Sequence, residues 1–208
     1  MSFFEAGNIL VENQYGFRHG RSAYMAIIEM ADKISAAIDN GEYPIGIFID
    51  LSKAFDTINH SILLDKLEYY GIRGFALKWF ESYLYSICIC YLYAICRQQY
   101  VFLDGASSTT SNINCGVPQG SIFGPLLFIL YINDIAKCSE ILRLILFADD
   151  TNICYSNSDI SEIEIIVNAQ LCKLSTWFKA NKLSINATKT NFTIFYIKRS
   201  SSMEDNLN

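Results

Sequence analysis

Hydrophobic and polar positions along the chain follow two periods, one typical of strands and one typical of helices. Two apolar runs, 142–146 and 151–155, flank the tetrapeptide 147–150, which carries the adjacent acids Asp149 and Asp150. Apolar runs separated by so short a turn predict a β-hairpin. Carboxylates at the end of a buried strand are costly unless a cation lies beside them. The pattern therefore predicts a hairpin whose turn carries acids suited to a divalent metal.

The rest of the chain is predicted to contain helices and strands in mixed order. The helices are expected at 22–39, 61–70, 76–84, 121–136 and 159–181, and the strands at 43–50, 99–103 and 191–197. Ser22 can cap the first helix, and Asp159 with Glu162 has the spacing of a capping box for the last. Asp104-Gly105 is expected to form a hairpin turn. Mixed order of this kind favours an α+β fold over a regular parallel α/β sheet.

Length, hydrophobic content and net charge limit the classes of protein to which this chain can belong. Its 208 residues, of which 51% are hydrophobic and 18% charged, are enough for one globular domain with a full core. The net charge of −5 and the pI near 5.0 do not favour a free-standing nucleic-acid binder, which usually shows a basic surface. Any basic contact to nucleic acid is therefore expected to be local or to come from elsewhere.

Cysteine usage and hydropathy indicate the compartment. The seven cysteines are scattered and include no Cys-x-x-Cys pair, which predicts reduced thiols in the nucleus or the cytoplasm. The chain starts without the charged and apolar regions of a signal peptide. Its longest uncharged stretch, 82–96, is shorter than the roughly 20 apolar residues that span a bilayer. We therefore expect a protein that is neither secreted nor bound in a membrane.

Asp50 marks a second acidic site, because it ends the strand predicted upstream of the hairpin. Two strand-end acidic sites that converge are typical of a two-metal phosphoryl-transfer centre. The Asp50 carboxylate and the carbonyl of Leu51 could both bind Mg²⁺, and an N-cap role for Asp50 is the alternative that the sequence leaves open. We expect Asp149 to be a direct ligand, with Asp150 acting nearby or through its charge. The alternative is an Asp-rich surface turn, which the apolar flanks disfavour.

Three further stretches carry groups suited to phosphate binding. The loop 116–121 has two glycines and a proline before a helix, whose N-terminus favours anions, and Gln119 can both donate and accept. The segment 16–22 places arginines beside a glycine, although chemistry alone favours a solvated turn there. Lys189 could donate a proton or contact a phosphate, but such a lysine is more often simply exposed.

Five stretches occur in one order along the chain. They are Gln14-Tyr15-Gly16-Phe17-Arg18, Phe48-Ile49-Asp50-Leu51-Ser52-Lys53-Ala54-Phe55-Asp56, Gly116-Val117-Pro118-Gln119-Gly120-Ser121, Phe147-Ala148-Asp149-Asp150, and Lys182-Leu183-Ser184-Ile185-Asn186 with Lys189-Thr190. This set resembles the ordered motifs of reverse transcriptases, and it is most similar to the LINE type from non-LTR, jockey-like retrotransposons. The connecting segments 69–74 and 177–182 match too, and the resemblance covers 13–196. Five motifs in order are a specific signal.

The resemblance implies the palm of a right-handed polymerase, an antiparallel sheet backed by helices, with part of the fingers and without the thumb. In such a palm Asp50 and Asp149 would hold two Mg²⁺ ions, for which Mn²⁺ can substitute. Asp150 would assist them, and the Leu51 carbonyl would be a further ligand. Phe55 would be the aromatic steric gate against the ribose 2′-hydroxyl.

The same resemblance implies contacts to the nucleotide. Gln119 and Gly120 would contact the incoming nucleotide and the template. Arg18 would contact the triphosphate, and Lys189 would assist the pyrophosphate leaving group. The implied activity is RNA-directed DNA polymerisation, with an RNA template, a DNA primer and dNTPs as partners.

The resemblance also divides the chain. Residues 1–12 are expected to be an N-terminal remnant, 13–198 the palm with partial fingers, and 199–208 a polar tail. We expect earlier fingers strands, the thumb and the endonuclease domain of a longer element to be missing. An apolar insertion at 85–94 replaces the short polar turn usual in the family. Two alternatives stay open: an inactive retroelement remnant that binds proteins through this insertion, and a group II intron maturase, which the connecting segments disfavour.

Overall fold

The computed structural model describes residues 2–85, 98–117 and 120–196. The helices are α1 (Ser2–Ala6), α2 (Ala23–Asp39), α3 (His60–Tyr69), α4 (Gly74–Tyr85), α5 (Phe123–Ile132) and α6 (Ile160–Ala180), with 3₁₀ helices at Ala54–Asp56 and Asn133–Cys138. The strands are β1 (Tyr43–Ile49), β2 (Gln98–Gln99), β3 (Phe102–Leu103), β4 (Ala106–Ser107), β5 (Ser111–Asn112), β6 (Arg143–Phe147), β7 (Asp150–Asn157) and β8 (Asn191–Ile194). Within these described ranges, no helix has the length and apolar character needed to cross a membrane.

Some sequence predictions fall outside the described ranges. The apolar insertion at 85–94 lies outside them except for Tyr85, which ends α4, and the polar tail at 199–208 lies wholly outside. The predicted division of the chain at residues 12 and 198 stays a prediction.

Four antiparallel strands form the central sheet, in the order β6-β7-β1-β8. β6 and β7 are the predicted hairpin around the paired acids. β1 pairs with β7 from Tyr43 opposite Asn157 to Ile49 opposite Thr151, and β8 pairs with the other side of β1. An antiparallel sheet packed against helices confirms the predicted α+β class.

The two faces of the sheet meet different layers, because successive strand residues point to opposite sides. One face, which includes Ile47, Leu144 and Ile153, belongs to the main core. The other face lies against α2, where Ala26 and Ile145 belong to a second buried cluster. Helices therefore cover both faces of the sheet, and its strand ends remain available for a site.

α5 lies in the middle of the main core. Leu127, Phe128 and Leu130 on this helix are fully buried, since apolar residues cover all of its sides rather than one stripe. The Tyr131 hydroxyl donates to the carbonyl of Asn181, just after α6, at 2.6 Å. α5 is thus a fixed support on which neighbouring side chains can rest.

The helix predicted at 121–136 forms over a shorter range. α5 begins at Phe123, and Pro125 falls in its first turn, where a backbone N–H has no intrahelical partner in any case. Beyond α5 the chain continues as the tighter 3₁₀ helix Asn133–Cys138. The sequence prediction of one continuous helix did not distinguish these two helix types.

The local signals at the hairpin and at the first helix behave as predicted. Asp104 and Gly105 both have positive φ, 49° and 82°, and join β3 to β4 as a tight hairpin. The Ser22 hydroxyl accepts the backbone N–H of Met25 at the start of α2. The strand predicted at 99–103 is divided between β2 and β3.

The capping box predicted at the start of α6 is only half formed. The Asp159 carboxylate accepts the N–H of Ser161 at 2.8 Å, as a cap does. Glu162, however, accepts a hydrogen bond from the side chain of Asn157 instead of the backbone N–H of Asp159. That N–H is already bound by the Asn157 side-chain oxygen, which is why the reciprocal bond is not made.

Candidate active site

The register of the sheet brings the two acidic motifs together. Ile49 lies opposite Thr151 at the end of the β1–β7 pairing. Because the strands are antiparallel, the residue that follows β1, Asp50, continues this register to the level of Asp150 at the start of β7. Directly opposite residues of an antiparallel pair place their side chains on the same face within a few ångströms. Residues far apart in sequence therefore meet at one end of the sheet.

Asp149 lies in the tight turn that joins β6 to β7. Phe147 pairs with Asp150, which leaves only Ala148 and Asp149 in the turn. Ala148 is buried and has φ 54°, a left-handed conformation that is uncommon for residues other than glycine. Such a conformation persists only where surrounding contacts hold it, and it is frequent at functional sites. Asp149 is thus presented by a strained and supported turn.

The segment before α2 runs along the outer edge of β6. Gln14 forms a parallel bridge with Leu146, and the N–H of Tyr15 donates to the Leu146 carbonyl at 2.7 Å. The N–H of Leu146 donates in turn to the carbonyl of Asn13 at 2.8 Å. This segment therefore covers the edge of the hairpin that carries the paired acids.

Gln14 holds the turn from beneath. Its side chain is 1% exposed, and its Oε1 accepts the N–H of Gly16 at 2.7 Å and the N–H of Ala148 at 3.1 Å. A Cβ added at Gly16 would overlap the backbone nitrogen of Ala148, so a glycine is needed for this approach. Sequence reasoning missed the role of Gln14, because its partner Ala148 is 134 positions away.

Asp50 is held by the segment that follows α6. The Nδ2 of Asn186 donates to Asp50 Oδ2 at 2.9 Å, and Lys189 Nζ lies 3.9 Å from the same oxygen. The backbone is tied as well, because the N–H of Asn186 donates to the Asp50 carbonyl and Leu51 pairs with Ile185. The structure therefore brings Lys189 beside Asp50. Asn186 is a further contact that the sequence analysis did not single out.

The N-cap role considered for Asp50 is wrong. The next helical turn is the 3₁₀ helix Ala54–Asp56, and the residue at its N-cap position is Lys53, which has φ 50° and makes no side-chain cap. Asp50 therefore directs its carboxylate to Asn186 and Lys189 rather than to a helix terminus.

Electrostatics couple the three carboxylates. Asp150 lies at the surface, yet its pKa is raised above its ordinary value, first by partial desolvation and then by the negative charges of Asp149 and Asp50. Within the ranges that the structure describes, no three His, Cys, Asp or Glu side chains form a tight metal cluster. The three acids do supply hard oxygen donors that repel one another, and a divalent cation of the Mg²⁺ type fits such a donor set.

Phe55 rests on α5 near the acidic end of the sheet. Its ring is half-buried and lies 4.6 Å from the ring of Phe128, centroid to centroid. The ring of Phe17 meets it edge-on at 6.4 Å. Phe55 is therefore fixed on one side by the core and bordered on another by the segment that carries Arg18.

Arg18 makes its recorded contact away from the acids. Its Nη1 donates to the carbonyl of Val11 at 2.8 Å. Its pKa is lowered by burial and by the charge of Arg21, while Glu5 and Glu12 oppose that shift. The structure thus places Phe17, the neighbour of Arg18, beside Phe55, whereas the Arg18 guanidinium binds the Val11 carbonyl rather than the carboxylates.

The glycine loop begins against the chain that follows Asp50. The N–H of Gly116 donates to Ile58 O at 2.8 Å, and the N–H of Val117 donates to Phe55 O at 3.0 Å. Gly116 has φ 84°, and a Cβ there would lie 2.9 Å from Asp56 O. Gly120 has φ 77° and faces open space, whereas Gln119 lies outside the described residues. Its predicted nucleotide contact, like that of Gly120, stays a prediction.

Comparisons with known proteins agree with this geometry. The family model described as reverse transcriptase (RNA-dependent DNA polymerase) matches residues 2–204. A probable RNA-directed DNA polymerase from transposon X-element of Drosophila melanogaster is 30% identical over 96% of this chain and 21% of its own length. The RNA-directed DNA polymerase from mobile element jockey of the same species is 27% identical over 85% of this chain and 19% of its own length.

Solved structures resemble the fold. Telomerase from Candida albicans, in complex with a fragment of telomeric RNA, aligns with a TM-score of 0.59 at 13% identity, covering 83% of this chain and 30% of the telomerase chain. Apo telomerase from Candida tropicalis aligns with a TM-score of 0.57 at 12% identity, over 94% of this chain and 38% of that one. The chain spans about a fifth of the curated relatives that it matches. The motif order, the antiparallel sheet and the family match together show that this chain belongs to the reverse transcriptase (RNA-dependent DNA polymerase) family.

Proposed function

We propose that this chain is the catalytic palm of an RNA-directed DNA polymerase of the non-LTR retrotransposon type. The observation that carries the proposal is the β1–β7 register, which sets Asp50 level with Asp150 beside the Asp149 turn. Carboxylates from two motifs at one end of an antiparallel sheet suit a centre that transfers phosphoryl groups. The family match supports the same reaction class.

The reaction joins a dNTP to a primer. The primer 3′-oxygen forms a bond to the α-phosphorus as the bond from that phosphorus to the bridging oxygen breaks. Pyrophosphate leaves with the electron pair of the broken bond, and the primer hydroxyl gives its proton to a water molecule. The site must therefore hold cations beside the negatively charged phosphates and supply a proton near the leaving group.

Asp50 and Asp149 are the residues that we propose hold two divalent ions, with Asp150 and the Leu51 carbonyl as additional oxygen donors. Mg²⁺ is the proposed ion, and Mn²⁺ can substitute for it. When bound, such ions supply positive charge for the reacting oxygens and the phosphates. The mutual repulsion of the three acids, recorded in the raised pKa of Asp150, supports this assignment.

Other residues of the proposed site act on the nucleotide. Lys189 lies 3.9 Å from Asp50 Oδ2 and is 69% exposed, so its ammonium is free to approach a pyrophosphate and give it a proton. Phe55, half-buried against Phe128, is a fixed aromatic surface suited to exclude a ribose 2′-hydroxyl. We assign Gln119 and Gly120 to the incoming nucleotide and template. Arg18 requires a movement from the Val11 carbonyl to reach a triphosphate.

The proposed partners are an RNA template, a DNA primer and dNTPs. The chain spans about a fifth of its curated relatives, and we propose that it works as the palm, with part of the fingers, of a longer polypeptide. The sequence carries a net charge of −5, so the basic contacts to nucleic acid are proposed to come largely from other regions. The described cysteines are free thiols, in keeping with a nuclear or cytoplasmic location.

Primer extension on an RNA template tests the proposal. The chain and its Asp149→Asn variant are assayed with Mg²⁺ and with Mn²⁺, and Asp32→Asn, an exposed acid on α2, is the matched control. We expect extension by the wild type and by Asp32→Asn, and a loss of at least about 100-fold in Asp149→Asn, because a metal-binding charge is removed. No extension by soluble, folded wild type would contradict activity of this chain and favour a non-catalytic remnant.

A further inference from the structure

Asn186 contacts Asp50 and begins the turn that carries Lys189. Its Nδ2 donates to Asp50 Oδ2 at 2.9 Å, and its backbone N–H donates to the Asp50 carbonyl at 2.9 Å. One residue thus holds both the backbone and the carboxylate of Asp50. A hydrogen bond to an ionised carboxylate is stronger than one between neutral groups.

The same residue closes the turn that carries Lys189. The backbone carbonyl of Asn186 accepts the N–H of Lys189 at 3.1 Å and the N–H of Thr190 at 3.0 Å. It also accepts the Thr190 hydroxyl at 3.0 Å. The spacing between the Asp50 carboxylate and the Lys189 turn is therefore set through Asn186.

A third contact occupies the other end of the Asn186 amide. The Thr188 hydroxyl donates to Asn186 Oδ1 at 2.7 Å. The ionised Asp50 carboxylate can only accept, so the Nδ2 donor of Asn186 faces it, and the amide oxygen is left toward Thr188, whose hydroxyl can donate to it. The Asn186 amide thus has a defined orientation, with a donor rather than an acceptor against the carboxylate.

Lys189 alone cannot give the carboxylate a fixed orientation. Its Nζ is 3.9 Å from Asp50 Oδ2, and the side chain is 69% exposed. A long, solvated ion pair of this kind contributes little energy and permits many geometries. The shorter bond from Asn186 is the contact that can orient Asp50.

We propose that Asn186 is a positioning residue: it orients the Asp50 carboxylate and sets its distance from the Lys189 turn, while itself touching neither substrate nor the reacting atoms. This inference rests on the proposed polymerase function. Residues that orient ligand carboxylates in this way typically affect metal affinity or activity by about 10–100-fold when replaced.

The test uses the full chain with Asn186→Ala, Asn186→Asp and the control Asn168→Asp, an exposed position on α6. Mn²⁺ affinity is measured by electron paramagnetic resonance, and kcat and KM for a single dNTP addition are measured on a primed RNA template. We expect Asn186→Ala to lower kcat and Mn²⁺ affinity by about 10–100-fold with little change in KM. We expect Asn186→Asp to lose more, because a like charge replaces the donor beside Asp50, and Asn168→Asp to match the wild type.

Three results would overturn the inference. One is wild-type kcat and Mn²⁺ affinity in Asn186→Ala. Another is a lower melting temperature with unchanged Mn²⁺ affinity, which would mean a structural role only. Should both Asn186 variants unfold, Thr188→Val is the deciding variant, because it removes the hydrogen bond to Asn186 Oδ1 and leaves Asn186 itself unchanged. A several-fold loss of Mn²⁺ affinity in Thr188→Val supports the inference. The third overturning result is an unchanged affinity in that variant.

The proposed function and the inference fail in different ways. Suppose that the wild type binds Mn²⁺ but does not extend primers, and that Asn186→Ala weakens that binding. The positioning role of Asn186 is then supported, and the proposal that this chain is an active polymerase is rejected. If the wild type extends primers and Asn186→Ala does so equally well, only the inference falls.

Discussion

At the residue scale, the site consists of three carboxylates that repel one another and a few side chains that donate to them or offset their charge. Asp50 has Asn186 and, at longer range, Lys189. Asp150 instead faces the charges of Asp149 and Asp50, and its pKa is raised by partial desolvation and by those charges. The metal-free protein therefore carries a local electrostatic cost at neutral pH, which a bound cation would remove.

The raised pKa of Asp150 predicts a pH-dependent effect of Asp150→Asn on stability. A raised pKa means that the folded state prefers the protonated acid, so the wild type loses stability as pH rises through that value. In the presence of a chelator, we expect Asp150→Asn to have a higher free energy of unfolding than the wild type at pH 7. The gain should shrink as the pH is lowered through the raised pKa toward the ordinary value of 3.8. Urea unfolding across this pH range measures it.

The control for this experiment is Asp32→Asn, which removes an exposed acid from α2. It should give no gain that depends on pH in this way. A gain in Asp150→Asn that is equal at all pH values, or a loss at pH 7, would contradict the electrostatic account.

Gln14 supports a second prediction at this scale. Gln14→Leu would leave the buried N–H groups of Gly16 and Ala148 without their acceptor, at a cost of about 1–3 kcal/mol for each unsatisfied group. We expect urea unfolding to show this loss and primer extension to fall with it. Gln170→Leu is the matched control, because Gln170 is also buried but its Oε1 has no partner among the described residues. Equal losses in both variants would contradict a role for Gln14 at the turn.

At the element scale, the β6–β7 hairpin depends on the segment beside it. Gln14 and Tyr15 line the edge of β6 through contacts to Leu146. Gly16 then approaches the Ala148 backbone so closely that no larger residue fits without movement. The left-handed turn at Ala148 is thus held by packing as well as by hydrogen bonds.

Gly16→Ala tests that close approach. The added Cβ must displace Ala148, so we expect a loss of about 1–3 kcal/mol in unfolding free energy and a clear fall in primer extension. Gly41→Ala is the contrast, since Gly41 ends α2 with φ 76° in open space. It should cost about 1 kcal/mol through backbone strain and leave extension unchanged. Retained extension in Gly16→Ala would show that the turn tolerates displacement.

Local elements were predictable because their signals are local. Ser22 caps α2, Asp104-Gly105 forms the hairpin turn, and the acids at 149–150 lie between two strands, all as the sequence indicates. The capping box at α6 was half wrong because Asn157, outside the motif, competes for the backbone N–H of Asp159. A short sequence motif indicates which hydrogen bonds a residue can make. It does not show whether a residue outside the motif makes the same hydrogen bond instead.

At the scale of the whole molecule, the site exists because of strand register. A shift of one residue between β1 and β7 would move every side chain to the opposite face. The buried residues of β1, Ile45, Ile47 and Ile49, hold the register by packing on one side into the main core. The core therefore determines that Asp50 lies level with Asp150.

Contacts between residues far apart in the sequence could not be predicted from the hydrophobic pattern. The sequence predicted that the acidic motifs of Asp50 and Asp149 converge, and in the structure the charges of both act on Asp150. The contact of Lys189 with Asp50 was not predicted. Gln14 carries no signal in hydrophobic periodicity, because its contact partner Ala148 is set by the tertiary fold. Arg18 also depends on tertiary context, since its guanidinium meets Val11 rather than the acids.

The most direct test of the site is Fe²⁺-directed backbone cleavage. Fe²⁺ in place of Mg²⁺, with ascorbate and peroxide, produces hydroxyl radicals that cut the chain near the ion, and mass spectrometry maps the cuts. A single site built by the β1–β7 register predicts cuts around Asp50, around Asp149–Asp150 and near Asn186, all suppressed by excess Mg²⁺ and lost in Asp149→Asn. Cuts confined to only one of these segments, or cuts that survive in Asp149→Asn, would show that the acidic motifs do not form one metal centre.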